Sequence, residues 1–265
     1  MVKYMLLFLG IDGLGPNVLK NMYKEYLPFL NMLSEKYWYS EIKVADACSP
    51  KLWTEMFSGT YLSWYRIYIT PGDVVNGVQR WRLVRRDELP VKFIWEEKPN
   101  VVVINAPVLT PPVCLNTAFE PVAYGFPMAL TEWIREISGV EKHTLAAINN
   151  NRNVISVITS LDRALHVTAV KLEVKTVLTR IDKAVERIIS KAEEKGYKWI
   201  IASDHDMYRV SKEEKAIVTK HPDLPYLPSL QTYIHRHDNT ALAITNIGRK
   251  LRSHKEIYLA IKENV

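Results

Sequence analysis

Carboxylates, imidazoles and one hydroxyl recur in five short segments of this chain. They are Asp12 in LGIDGLGP, Ser49 in ACSPKLW, Asp162 and His166 in LDRALH, Asp204 and His205 in ASDHDM, and His235 and His237 in IHRHDN. A mixed Asp and His set without a thiolate suits zinc, manganese or iron better than calcium. The Asp-x-x-x-His spacing of Asp162 and His166 puts both side chains on one helical face or along one tight loop. Adjacent Asp204 and His205 cannot point the same way from a strand, but from a loop they can reach two neighbouring ions. Two divalent ions about 4 Å apart can clamp the attacking and leaving oxygens of a phosphoryl transfer. A serine hydroxyl beside such an ion loses its proton more easily and becomes a nucleophile. Taken singly, each signal has a plainer reading. Asp12 could cap a turn, Asp162 and His166 could be a surface pair, and Ser49-Pro50 is a common turn opener. Their conjunction favours a two-ion site.

Those residues need elements to bring them together. The continuous apolar run Met5 to Ile11 reads as a strand buried on both faces, ending at Asp12. Val101 to Asn105 is a second, followed by the proline-rich loop NAPVLTPP. Val154 to Ser160 is a third, just before Asp162, and Trp199 to Ala202 a fourth, just before Asp204. Thr240 to Ile244 is the last strong strand. Asn17 to Lys36 reads as helical with an interruption at Pro28, and Thr131 to Ile137 as a short helix. Leu172 to Lys195 is the clearest helix, because Val174, Val177, Leu178, Ile181, Val185, Ile188 and Ile189 keep the helical period and Gly196 ends it. Alternating buried strands and helices predict an α/β fold with a largely parallel central sheet and helices on both faces. Ligands in such sheets bind beyond the carboxyl ends of the strands, where Asp12, Asp162 and the Asp204-His205 pair would converge.

Composition narrows the class. A length of 265 residues, 48% hydrophobic and 24% charged, predicts a single domain over 1–265, with room for a small cap within 61–150. The net charge of +6 favours anionic partners, yet clusters such as RWRLVRR (Arg80 to Arg86) are short and read as solvated surface. No helix-turn-helix, zinc-finger or RNA-binding signature points to sequence-specific nucleic acid. The two cysteines, Cys48 and Cys114, outline neither a disulfide framework nor a zinc knuckle. The first apolar run is too short for a signal peptide. No run approaches the ~20 apolar residues of a membrane span, so a cytoplasmic protein is expected. His143, His221 and His254 match no motif and are expected at the surface.

The segments together resemble the alkaline phosphatase superfamily, most closely its type I phosphodiesterase and nucleotide pyrophosphatase branch. GIDGL followed by LPFLNMLSEK is similar to that family's start, and SPKLWTEMFSG to its nucleophile segment. KFIWEEKPNVVVINAPVLTPP resembles its strand and proline loop, LDRALH its Asp-x-x-x-His motif, and ASDHDM its SDHGM motif. IHRHDN stands at the place of the final histidine. The resemblance implies an alkaline-phosphatase-like three-layer fold and two divalent ions, zinc or manganese. One ion would be held by Asp12, Ser49, Asp204 and His205. The other would be held by Asp162, His166 and either His235 or His237, with His237 slightly preferred. It further implies Ser49 as nucleophile, a pocket lined by Asn105 and the loop to Pro112, and a small anionic phosphorylated substrate such as a nucleotide.

The sequence departs from the family at two points. Tyr65 stands where the family has histidine, and Asp206 where it has glycine, adding a carboxylate that could alter ion choice or weaken anion binding. Cys48 in C-S-P-K-L raises a sulfatase reading, but Leu52 replaces the required arginine, and the nucleophile register, ten residues before Gly59, falls on Ser49. A phosphoglycerate-mutase-like phosphomutase, a phosphatase and a catalytically inactive binding protein on the same fold remain alternatives.

Overall fold

The computed structural model describes residues 4–62, 69–75, 78–81, 86–109, 113–119, 129–168, 170–210, 233–235 and 239–265. In chain order the strands are β1 (Leu6–Ile11), β2 (Trp38–Val44), β3 (Ile69–Val75), β4 (Val78–Trp81), β5 (Val101–Ile104), β6 (Thr117–Phe119), β7 (Asn153–Ile158), β8 (Lys198–Ala202), β9 (Tyr208–Arg209), β10 (Tyr233–Ile234) and β11 (Asn239–Thr245). The helices are α1 (Pro28–Lys36), α2 (Ser49–Ser58), α3 (Ile94–Glu97), α4 (Leu130–Asn149), α5 (Ser160–Val167), α6 (Lys171–Glu194) and α7 (His254–Asn264).

Seven strands form the central sheet in the order β2-β11-β8-β1-β7-β5-β6. Every pairing that does not involve β11 is parallel, and β11 runs antiparallel to both β8 and β2. The apolar runs that predicted buried strands are buried end to end in β1 and β7. Because side chains alternate across a strand, each strand feeds two cores. Leu7, Leu9 and Ile11 face a layer containing α1, α4, α5 and α6, whereas Leu6 and Phe8 face α2, α3 and α7. The expected three-layer α/β architecture is therefore present. The β3–β4 pair lies within the span expected to hold a cap and forms a sheet of its own.

Several boundaries differ from the sequence reading, each for a physical reason. The helix expected over Asn17 to Lys36 is broken at Tyr23 to Leu27 into a wide turn (Asn17–Met22), a tight one (Lys24–Tyr26) and α1, which opens with Pro28 in its first turn. The short helix expected at Thr131 to Ile137 continues through Gly139 to Asn149, because Val140, Ala147 and Ile148 extend the buried stripe and outweigh the ~1 kcal/mol cost of a helical glycine. The strand expected through Ser160 stops at Ile158, so that Asp162 sits in the first turn of α5. Arg86, expected in solvated surface, is buried and ion-paired with Glu96. His254, expected at the surface, is 4% exposed, with Nδ1 3.7 Å from Glu55 Oε2. His143 is half-buried, and His221 lies outside the described residues. Among the described residues no helix is long and apolar enough to cross a membrane.

Candidate active site

Parallel neighbours β8, β1 and β7 end side by side, and each delivers ligands to the same edge. Asp12 follows β1, and its N–H bonds to the Ile158 carbonyl at the end of β7 (2.9 Å). Asp204 and His205 follow β8, and α5 presents Asp162 and His166 one turn apart on one face. Ser49 comes from the other layer, as the first residue of α2. His235 arrives on the stub after β10, which is held by a two-residue ladder with β9.

These residues sort into two groups. Asp12, Asp204 and His205 are all buried, and their ligand atoms lie within 4.8 Å of one another; Asp162, His166 and His235 meet the same condition and are partly exposed. Ser49 Oγ joins the first group, 2.8 Å from His205 Nε2 and 3.4 Å from Asp12 Oδ1. His205 Nε2 is 3.8 Å from Asp162 Oδ1, so the groups abut. Every ligand or nucleophile expected from sequence and described in the structure is thus in one of the two groups. Of the alternative last ligands, His235 is brought to Asp162 (3.2 Å) and His166 (3.0 Å). His237 and Tyr65 lie outside the described residues, as does the 110–112 part of the proline loop. Asn105 closes β5 with a left-handed backbone (φ 56°) and donates from its carboxamide to the Val157 carbonyl, wholly buried.

Backbone carbonyls set the imidazoles. A carbonyl can only accept, so the 2.9 Å contact of His235 Nδ1 with the Ala47 carbonyl places a proton on Nδ1. The Asp206 carbonyl does the same for His205 Nδ1 at 3.2 Å. Both Nε2 atoms therefore face the site, the arrangement that suits metal-ligating histidine. His235 Nε2 then confronts His166 Nε2 and Asp162 Oδ1, and a proton or a cation has to sit among the three. In the first group Asp204 is fully buried and its Oδ2 has no hydrogen-bond partner. A buried carboxylate oxygen left so is costly, and a cation removes the cost. Residue types, imidazole orientations and the orphaned oxygen all fit divalent ions.

The electrostatics agree. Burial, with repulsion from Asp204 and Asp162, pushes the Asp12 carboxyl well above the ordinary carboxylate range. Burial also holds His205 down to about 4, against the pull of Asp204. In the second group burial opposes the charge of Asp162, but His166 and His235 outweigh it and hold its carboxyl well below the usual range. Burial likewise opposes the His235 cation, and Asp162 outweighs it and raises the imidazole.

Sequence reasoning passed over three supports. Trp53 donates from its indole N–H to Asp12 Oδ2 (3.1 Å), fixing the carboxylate. Gly10 makes room for that indole, since a Cβ there would stand 2.7 Å from Trp53 Cη2; a glycine inside a strand is the signal that could have announced it. Asn239 holds the backbone of Asp206, accepting from its N–H (2.7 Å) and donating to its carbonyl (3.1 Å). The carboxylate of Asp206 itself is turned to backbone N–H groups and belongs to neither ligand group. The extra carboxylate that Asp206 brings to this segment is thus engaged by the backbone N–H groups of Asn17, Val18 and Met207.

Fold and site together define an alkaline-phosphatase-like α/β protein. Residues 76–265 match the model of the type I phosphodiesterase/nucleotide pyrophosphatase family, and the chain belongs to that family of hydrolytic enzymes. No curated protein matches the chain in sequence. Among solved structures, human ectonucleotide pyrophosphatase/phosphodiesterase 5 is similar over 98% of this chain and 94% of its own, at 12% identity and a TM-score of 0.61. The murine form, an inactive variant in complex with AMP, is similar over 99% and 94%, at 10% identity and 0.59. Phosphonoacetate hydrolase from Sinorhizobium meliloti 1021, in complex with phosphonoformate, matches 80% of this chain at 12% identity and 0.53, and the match spans 59% of that enzyme. The family match begins after Asp12 and Ser49; the three-dimensional arrangement brings both to the ligands within it.

Proposed function

We propose that this chain cleaves small phosphorylated substrates, foremost phosphodiesters or nucleotide pyrophosphates, with Ser49 as nucleophile and two divalent ions, zinc or manganese. Asp12, Ser49, Asp204 and His205 would hold one ion; Asp162, His166 and His235, or His237 in its place, would hold the other. The observation that carries the reading is the Ser49 hydroxyl, 2.8 Å from His205 Nε2 at the mouth of a buried carboxylate pair. Bound ions would supply positive charge that offsets the carboxylates, acidifies the serine hydroxyl and balances the charge on phosphoryl oxygens.

The chain's own residues account for the rest. Ser49 opens α2, whose amino end has no side-chain cap. The partial positive charge there favours both an anionic phosphoryl group and an ionising hydroxyl. Ser49 Oγ stands 2.8 Å from His205 Nε2, which burial keeps unprotonated at neutral pH, so both atoms would be free to hold the same ion and the hydroxyl proton would leave to solvent. Ser49 Oγ attacks phosphorus in line, the bond to the leaving oxygen breaks, and a phosphoserine forms. Water then releases the phosphoryl group and restores the hydroxyl. Trp53 and the Ala47 carbonyl hold Asp12 and His235 in register throughout.

The family and the AMP complex of the murine structure support a nucleotide or diester substrate; the phosphonate complex keeps a P–C substrate in view. A cytoplasmic location and one domain over 1–265, with a small cap within 61–150, stay part of the proposal. The test is turnover of bis-p-nitrophenyl phosphate against p-nitrophenyl phosphate by protein purified without chelator. Diester preference is expected. Monoester preference would move the reading to a phosphatase or mutase, and no turnover after reconstitution with zinc or manganese would overturn it.

A further inference from the structure

The loop after β1 and the loop after β8 carry the first ligand group, and one side chain spans them. Asp206 Oδ2 accepts from Asn17 N (2.5 Å), and Oδ1 accepts from Val18 N (3.2 Å) and from Met207 N in its own loop (2.8 Å). Asn17 returns a bond from its carboxamide to the Met207 carbonyl (2.9 Å). The packing is equally committed. A Cβ on Gly15 would overlap the Cβ and Cγ of Asp206, and Gly13, at φ +76°, leaves a Cβ only 3.3 Å from Met207 Cγ. The backbone of Asp206 is locked in turn by Asn239, and its carbonyl receives the His205 Nδ1 proton. One fully buried residue thereby touches the Asp12 loop through its carboxylate and His205 through its carbonyl.

We propose that Asp206 is a positioning residue, a strut whose carboxylate fixes the distance between the Asp12 loop and the Asp204-His205 loop and so sets the geometry of the first ion site. The second ion site has no such tie to Asp206, since Asp162 and His166 ride on α5 and His235 is anchored by Ala47. The proposal rests on the two-ion reading for its function, but not for its geometry.

The protein contains its own control. Asp182 Oδ2 and Oδ1 accept from Phe29 N and Leu30 N, both at 3.0 Å, capping α1 in the same way without belonging to either ligand group. Asp206→Asn and Asp182→Asn each place an amide NH2 against a backbone N–H, and both are expected to lower thermal stability. Manganese titration of the metal-free full-length chain separates them. In Asp206→Asn one of two binding events should weaken by about 10–100-fold and the other hold, whereas Asp182→Asn should leave both at wild-type affinity. A second readout needs no metal. The His205 ring-proton resonances of the metal-free protein should be displaced in Asp206→Asn and unmoved in Asp182→Asn, with those of His166 constant in both. If the wild type binds no manganese, the two-ion reading fails while the ring resonances still judge the strut. Wild-type His205 resonances in Asp206→Asn, or equal loss at both ion sites, would overturn it.

Discussion

The two ligand groups abut but solve opposite electrostatic problems. The first confines two carboxylates and one imidazole in a buried space, so that Asp12 resists ionisation and His205 resists protonation. The second sets one carboxylate between two imidazoles nearer solvent, and its charges stabilise each other. Without an ion the second group is nearly self-neutral, while the first is left with a mutually repelling pair and an orphaned Asp204 oxygen. The serine is attached to the group with the unmet charge. On the proposed mechanism that pairing gives the nucleophile a physical reason to lie there, because an ion that relieved the carboxylates would also acidify the hydroxyl.

The sharpest way to break this contrast is Ser49→Ala. Turnover should fall by at least about 10³-fold, with ion content close to wild type, since three other ligands of the first group remain. Retained turnover would sink the covalent route. Next comes the second group. His235→Ala should cost that group an ion, read by metal analysis, and lower turnover by at least about 10²-fold, whereas His237→Ala should keep both. The reverse result would give the ligand position to His237.

A smaller effect tests the charge asymmetry itself in chelator-treated protein. Asp12 has a folded pKa raised well above the ordinary 3.8, so its folded carboxyl holds a proton more tightly than the unfolded one. Its contribution to stability is full below 3.8 and is lost as pH rises through the folded value. Asp162, with a depressed folded pKa, contributes above 3.8 and loses that contribution as pH falls through the folded value. At pH 8, Asp12→Asn should therefore raise the metal-free melting temperature by roughly 2–4 °C and Asp162→Asn lower it by a similar amount. Shifts of the same sign would remove the contrast. The smallest expected change is Trp53→Phe, which deletes the indole bond to Asp12 and nothing from the second group. It should weaken the first ion by about 10-fold and leave the second as it was, by the same titration.

Much of this was legible in the sequence because buried parallel strands write themselves as continuous apolar runs. Met5 to Ile11 and Trp199 to Ala202 marked two of the three strands that end at the site, and the third was misjudged only at its final residues. The less legible elements are amphipathic and short of propensity signal. Trp38–Val44 alternates exposed and buried residues along the sheet edge, and α2 begins at a Ser-Pro that reads as a turn. The site's supports were hidden for a different reason. Nothing local in Ala47, Asn239 or Trp53 reveals contacts with residues 188, 33 and 41 positions away. Arg86 and His254 misled because a charged or polar residue was expected outside, while a tertiary carboxylate partner keeps each inside.

The most direct test is the ion stoichiometry of three proteins purified without chelator: wild type, Asp12→Asn and Asp162→Asn. Two separate groups predict two equivalents of zinc or manganese in the wild type and one in each variant, with the retained ion in the group left intact. One equivalent in the wild type, or loss of both ions from either single variant, would contradict the two-group account.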